Sequence, residues 1–494
     1  MKKLIALLLA VMMLVTLVAC TEKPADTTTK APVSGNDATD GKTEDTTAAP
    51  SKEIVTVKWV DTCGQPQNYD SWMKQVNDYL VEKIGVKVEL IFVDGETRNM
   101  MWQTGAEYDI MFGEGSDGID TMYEAGVLAP LTTALDGVPA LRDLIADWAW
   151  EAVSYDGEIY GVPAWKDVSH SEYWVWEKAV VDEYYPEYTE VSTLQDCYEA
   201  LVTIRERGCD WIGFLKNGGF DANGVVSWNY DSVVNGVGIS FLDGTEFVSV
   251  WEQPDVRANL ETIAKIYAEG YINEDCYIAD SVEGSEFIVS NAWGWPSAAE
   301  TSWKRDGRPV VVSQFEYTTV STSSVRGSYL TLNVNSTKIA EALKVIEFLN
   351  TDTYMRDLFW YGEEGYNWDY IDENGTTKVH RYGEEVGREG WTFAAYHQGS
   401  FFNVTPQEGS LGYAEIEELN NNAVPSPIMG FAFDKTPVMD QINACSGVWE
   451  QYAKMICCGV DITLIDTALE QMYEVGLQDI IDEANRQLKE WKGE

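Results

Sequence analysis

Two tryptophans one residue apart, Trp293 and Trp295 in the stretch EFIVSNAWGWPS (Glu286–Ser297), have side-chain types and spacing suited to non-covalent recognition. In an extended chain side chains alternate, so both indoles project from one face with Gly294 between them. The glycine opens the backbone, Pro296 ends any strand ladder, and two indole N–H groups need acceptors, so the segment makes poor ordinary core. Its chemistry is stacking against a flat apolar face, with packing at a lobe surface as the alternative. Similar pairings of aromatic planes with carboxylates and amides recur. They are Gln65, Asn68 and Tyr69; Glu114 and Asp117; Trp165, Asp167 and His170; Asn229, Tyr230 and Asp231; and Trp360, Tyr366 and Trp368.

Covalent chemistry has little support. Only three histidines occur (His170, His380, His397), with no pair at HExxH spacing, which argues against a zinc enzyme. No GxSxG elbow or phosphate-binding loop is present, so no cofactor and no catalytic residue is expected. With 81 acidic residues, chance pairs of carboxylates are certain, so they are no evidence for a glycosidase. Those 81 acids against 34 bases give a net charge of −47, which repels phosphate backbones and excludes nucleic acid as a partner. The charge serves solubility or favours a cationic solute.

The elements that must position these side chains read as alternating strands and helices. A strand at Ile54–Val60 leads into a polar loop, Asp61–Tyr69, and a helix over Ser71–Ile84 with Trp72, Val76, Tyr79, Leu80 and Ile84 on one stripe. Strands at Gly85–Val93 and Tyr108–Gly115 flank a helix at Arg98–Thr104. This order predicts a largely parallel α/β sheet whose ligands sit beyond the carboxyl ends of its strands. Tyr155–Trp165 reads as a tight turn, and Arg308–Tyr317 and Ser328–Asn333 as further strands. Helical spacing follows in Lys338–Leu349, Pro437–Ile456 and Ile462–Trp491. At 494 residues, two or three lobes are expected.

The first twenty residues, MKKLIALLLAVMMLVTLVAC, have a basic start (Lys2, Lys3), an apolar run (Leu4–Val15) and a small residue before Cys20. This is the pattern of a secretory leader, too short to be a stable membrane span. Thr21–Lys52 holds one valine and no other large apolar residue, so an extended, disordered spacer is expected. Besides Cys20, seven cysteines remain, an odd number without a CxxC motif, and their pairing stays open.

Taken in order, the leader ending at Cys20, TGAEYDIMFG (Thr104–Gly113), YEAGVLAPL (Tyr123–Leu131), YDGEIYGVP (Tyr155–Pro163) and NSTKIAEALKVIEFLNTD (Asn335–Asp352) resemble extracellular solute-binding lipoproteins of ABC importers. WYGEEGYNWDY (Trp360–Tyr370) and the run Glu450–Trp491 are similar to the C-terminal extension of the large carbohydrate-type branch, family 1, in Gram-positive bacteria. The resemblance spans nearly everything after residue 53. It implies an α/β, two-lobed fold of the type II periplasmic-binding-protein class, hinged around a ligand cleft. Lobe one would comprise 53–162 plus 286–326, and lobe two 163–285 plus 327–494, after a leader (1–19) and a lipidated linker (20–52).

The resemblance further implies a monomer held to the outer face of the membrane through a lipidated Cys20, handing a solute to permease subunits. An oligosaccharide suits it best, because sugars offer apolar C–H faces and a rim of hydroxyls to aromatic planes and carboxylates. Its candidate contacts are Trp295, Trp293, Trp165, Asn68, Tyr69, Glu114, Asp117, Asp167, Tyr230, Asp231, Trp360 and Trp368, with Trp295 as the stacking residue. A peptide or other cationic solute, or a surface adhesin without transport, are the alternatives.

Overall fold

The structure, a computed structural model, describes residues 54–220, 224–279, 281–383, 391, 393, 395–397, 399–410 and 412–494, with Ser116, Asp117 and Ala395 described in backbone only. The leader, Cys20 and the linker therefore lie outside the described residues. No described helix is long and apolar enough to cross a membrane.

Strand β1 (Val55–Asp61) runs parallel to both β2 (Val86–Phe92) and β3 (Ile110–Gly113). The helix Tyr69–Ile84 between β1 and β2 buries Trp72, Met73, Val76 and Leu80, the stripe its spacing dictates. It stops at Gly85, which takes φ 72° and returns its N–H to the carbonyls of Leu80 and Val81, closing the helix end as only a residue without Cβ does cheaply.

Downstream strands are β4 (Val162–Pro163), β5 (His170–Glu177), β6 (Val289–Trp293), β7 (Val310–Val320), β8 (Tyr329–Leu332) and β9 (Val424–Pro425). The first sheet has the order β2-β1-β3-β8-β4, with β8 antiparallel to β3 and β4. The second has the order β6-β5-β7-β9. Each sheet belongs to its own hydrophobic core. Trp59, Trp72, Phe112, Leu330, Phe359 and Trp368 belong to the first; Trp174, Trp176, Phe214, Phe315, Trp449 and Ile480 belong to the second.

This pairing redraws the lobes expected from chain order. The segment 286–326, expected in lobe one, supplies β6 and β7 on either side of β5 in the second sheet. The segment from 327 to about 404, expected in lobe two, supplies β8 and the helices Ile339–Thr351 and Thr353–Tyr361 to the first core. Ile428, Phe431 and the stretch from Val438 to Leu488 do join the second core, the latter through the helices Met439–Cys457, Leu464–Glu474 and Leu477–Lys492. Strand partners are chosen by which edge offers unpaired N–H and C=O groups and a matching apolar face, and chain order does not encode that choice.

The chain passes between the cores three times, and the three passages lie side by side. His170 at the start of β5 pairs with Thr319 near the end of β7, and Thr319 pairs with Val424 of β9. The expected crossing near Gly161–Pro163 is displaced by about seven residues, because β4 is still held by β8 in the first sheet. Asn420, fully buried, clasps the passage by donating to the Lys166 carbonyl (2.6 Å) and accepting from the Ser169 N–H (3.1 Å).

Candidate functional site

Along the hinge strands runs a cleft of about 680 Å³. Its floor is the hinge: Lys166–His170 on one passage, and Thr319, Ser321, Ser323, Ser324 and Gly327 on the next. Its wall comes from the second lobe: Ser227, Trp228, Tyr230, Asp231, Ser232, Phe241 and Trp293. A smaller pocket of about 140 Å³ continues past Asp231 and Ser323 toward Arg326 and Asp120.

Local structure explains why these side chains converge. The pairing of β5 with β7 shifts register between Phe315 and Thr319, and Glu316 there takes φ 46°, a left-handed backbone rare outside glycine. Such an irregularity bends a strand and re-aims the residues after it. Beyond it, Thr319 faces the cleft and Thr318 bonds Ser171 across the strands (2.8 Å). Trp293 is the last residue of β6, opposite Glu172, and is 51% exposed.

Trp293 and Trp295 part company at this point. Gly294 has φ 150° and donates its N–H to the Ser171 carbonyl, and a Cβ on it would lie 2.8 Å from the Trp303 ring. The missing side chain thus makes room for Trp303, rather than keeping a shared indole face open. Pro296 then starts a short 3-10 helix, Pro296–Glu300, with Trp295 at its cap, half-buried and away from the cleft lining. Trp293, not Trp295, faces the cleft.

Three aromatic rings line the cleft. His170 lies between Trp228 and Trp293, with ring centroids 4.9 Å and 6.1 Å away. Trp228 is buried and donates its indole N–H to the Tyr317 carbonyl (3.0 Å), which fixes the plane behind His170. Burial lowers the His170 pKa from its ordinary value of 6.5, so the imidazole is neutral at neutral pH. The polar groups are Asp167, paired with Lys166 (2.9 Å), and Asp231, whose carboxyl is pushed up by burial and pulled down by a hydrogen bond from Ser426. Tyr230 donates to Asp255 (3.1 Å), which Asn229 also bonds (2.8 Å). Flat apolar surface with carboxylates and hydroxyls at its rim can stack and hydrogen-bond a polyhydroxylated solute.

Of the residues singled out in the sequence, Trp293, Asp167, Tyr230, Asp231 and His170 meet at this cleft. The others do other work. Trp165 is buried against Trp148 and Phe402. Trp368 is fully buried and donates to the Gly362 carbonyl (2.8 Å). Trp360 packs on Arg356, Phe401 and Tyr413. Asn68 ties its loop to Glu363 and Asn367 at 2.8 and 2.9 Å. Tyr69 bonds the Leu90 carbonyl and packs edge-on to Phe92. Glu114 is exposed, 3.8 Å from Arg98. The Asp117 side chain lies outside the described residues. Sequence reasoning passed over Trp228, Lys166, Phe241 and the hydroxyl run Ser321–Ser324. The last had a legible signal, four consecutive Ser/Thr residues directly after a strand.

With this geometry in hand, comparison with known proteins is informative. Residues 427–493 match a family described as a domain of unknown function, DUF3502. Over 469 residues the chain is 22% identical to a carbohydrate ABC transporter substrate-binding protein of Streptococcus pneumoniae, covering 90% of this chain and 92% of the relative. The fold is similar to the crystal structure of an N-glycan transport solute-binding protein from the same organism (TM-score 0.71, 20% identity, 89% of this chain and 99% of that one). It is also similar to an extracellular solute-binding protein from Bifidobacterium longum subsp. infantis (TM-score 0.57, 13% identity, 89% and 98%). The chain has the two-lobed, type II architecture of such solute-binding proteins.

Proposed function

We propose that this chain is the solute-binding component of an ABC importer, that it takes up an oligosaccharide in the hinge cleft, and that it performs no catalysis. The observation that carries the reading is Trp293, a large indole half exposed at the cleft beside His170 and Trp228, with Asp167 and Asp231 also among the cleft's lining residues. An exposed indole of this kind is apolar surface held ready for a partner. Stacking on it would contribute roughly 1.5–3 kcal/mol, and two such contacts with hydrogen bonds reach about −8 kcal/mol, a micromolar affinity. That range suits capture followed by release.

Relatives support the solute class. Crystal structures of the pneumococcal N-glycan transport protein include complexes with Man1GlcNAc and Man5GlcNAc, at TM-scores of 0.58 and 0.54 to this chain. The three hinge passages supply the bending points for closure around a ligand. Lipidation of Cys20 would tether the protein to the outer face of the membrane, and the spacer 21–52 would give it reach to the permease.

The test is a thermal-shift and calorimetry screen of the purified protein against mannose- and N-acetylglucosamine-containing oligosaccharides, with basic peptides as the contrasting set. A shift with glycans alone is expected. A shift with basic peptides and none with glycans would replace the carbohydrate reading by a cationic solute. Hydrolysis of the bound glycan would sink the claim that the protein only binds.

A further inference from the structure

The loop after β1 does not reach the cleft, yet it gathers metal-ligating chemistry. Asp61, Cys63 and His397 place one donor atom each within 4.8 Å of the other two, the sole group of this kind among the described residues. His397 Nδ1 is 2.8 Å from Asp61 Oδ1 and 3.3 Å from Cys63 Sγ. A carboxylate oxygen and a cysteine sulfur thus converge on one ring nitrogen, the three donor types of a metal site. This is not a proton-relay arrangement, because a relay would engage the two ring nitrogens separately.

A second, independent observation points to a cation. Asp61 is fully buried, and its other oxygen, Oδ2, accepts no hydrogen bond from the described residues. Its only ion-pair partner there is His397. A buried carboxylate with one unpaired oxygen is costly unless positive charge reaches it. The surroundings hold the donors in place: the His397 ring stacks on Phe112 at 3.6 Å and 10°, and the Cys63 N–H donates to Asp61 Oδ1 at 2.8 Å.

We propose that Asp61, Cys63 and His397 form a binding site for one thiophilic divalent cation, with Zn²⁺ the ion that the donor set selects. Thiolate, imidazole and carboxylate together suit Zn²⁺ and disfavour Mg²⁺ and Ca²⁺. Bonds of about 2.0–2.3 Å to a tetrahedral ion put donors about 3.3–3.7 Å apart, so the observed distances of 2.8 and 3.3 Å need to open by only a few tenths of an ångström. Binding releases the thiol proton and the Nδ1 proton, if present, to solvent. Cys63 is half-exposed, which leaves a side for a fourth ligand. The ion would pin the segment 395–397 to the end of β1. Since Ser328 bonds the Tyr396 carbonyl, it would steady the chain next to Gly327 of the cleft floor. The role is structural, and no step of solute binding runs through it.

The experiment titrates the purified protein with Zn²⁺ and with Co²⁺ alone. One equivalent should bind, Co²⁺ should add a thiolate-to-metal charge-transfer band, and Zn²⁺ should protect Cys63 from alkylation as located by mass spectrometry. Cys63→Ser and His397→Gln each remove a direct ligand and should weaken binding by more than the roughly 10–100-fold that loss of an outer-shell partner costs. Absence of the Co²⁺ band, or alkylation of Cys63 at the same rate with and without Zn²⁺, overturns the proposal, and neither readout depends on a variant folding. Tight binding unchanged in both variants overturns it as well.

Discussion

The indole of Trp293 stands edge-on to the imidazole of His170, with centroids 6.1 Å apart and planes at 83°. An edge-to-face neighbour occupies at most one face of an aromatic ring, which leaves the half-exposed indole of Trp293 a face uncovered. The uncovered face is what a sugar ring would use, so Trp293→Ala should weaken oligosaccharide binding by about 10–100-fold, corresponding to roughly 1.5–3 kcal/mol of lost burial. Because Trp293 is already half exposed, the melting temperature of the free protein should move little. Trp295→Ala should weaken binding far less. Calorimetry on both variants decides; equal losses would move the platform elsewhere.

Trp368→Ala should have the opposite signature. The side chain is fully buried beneath Tyr354, Tyr361 and Tyr370, and its N–H is satisfied by Gly362. Truncation leaves a cavity and an orphaned carbonyl, costing about 3–5 kcal/mol by denaturant unfolding. The folded fraction should bind solute normally.

His170 offers a pH test. Burial lowers its pKa, so it is already neutral at pH 7 and should stay so on raising the pH. Solute affinity should therefore be flat from pH 7 to about 8.5 at this group, and should change only below its lowered pKa, where a charged imidazolium would face the stacked ring. An affinity change centred near neutrality that vanishes in His170→Gln would contradict this assignment.

Lys216 predicts a second pH effect, on stability. Its ammonium lies against Phe220 and donates to Asn291, and burial lowers its pKa from 10.5 to about 8. Between those values the unfolded chain holds a proton that the folded chain has released, so stability attributable to this group rises with pH in that window. Below about pH 8 both states are protonated and the full burial penalty is present. Urea midpoints at pH 7.5 and 9.5 should differ less in Lys216→Met than in the parent. A parent-like difference would show that other groups cause it.

Asn420→Ala tests the hinge. Its buried amide bonds Lys166 and Ser169 on the neighbouring passage, so its loss should cost about 1–3 kcal/mol and broaden the lobe-opening distribution. Small-angle scattering with and without solute would register the change. An unaltered profile together with unaltered stability would remove Asn420 from the hinge.

Local pattern carried much of the architecture. The 3.6-residue stripe of Trp72, Val76 and Leu80, the apolar strands around Trp59 and Leu90, and the glycine stop at Gly85 are properties of neighbouring residues, so the sequence alone determined them. The same holds for the break that Pro296 imposes after Trp293 and Trp295. Tertiary structure alone decided which lobe owns each strand, which indole faces the cleft, and that Trp165 and Trp368 belong to the core. It also brought His397 to Asp61 across 336 residues of chain. The reason is physical: periodicity reports how a residue relates to its own helix or strand, whereas a partner strand or a converging ligand is selected by hydrogen-bonding edges and surfaces that exist only once the distant chain has folded against them.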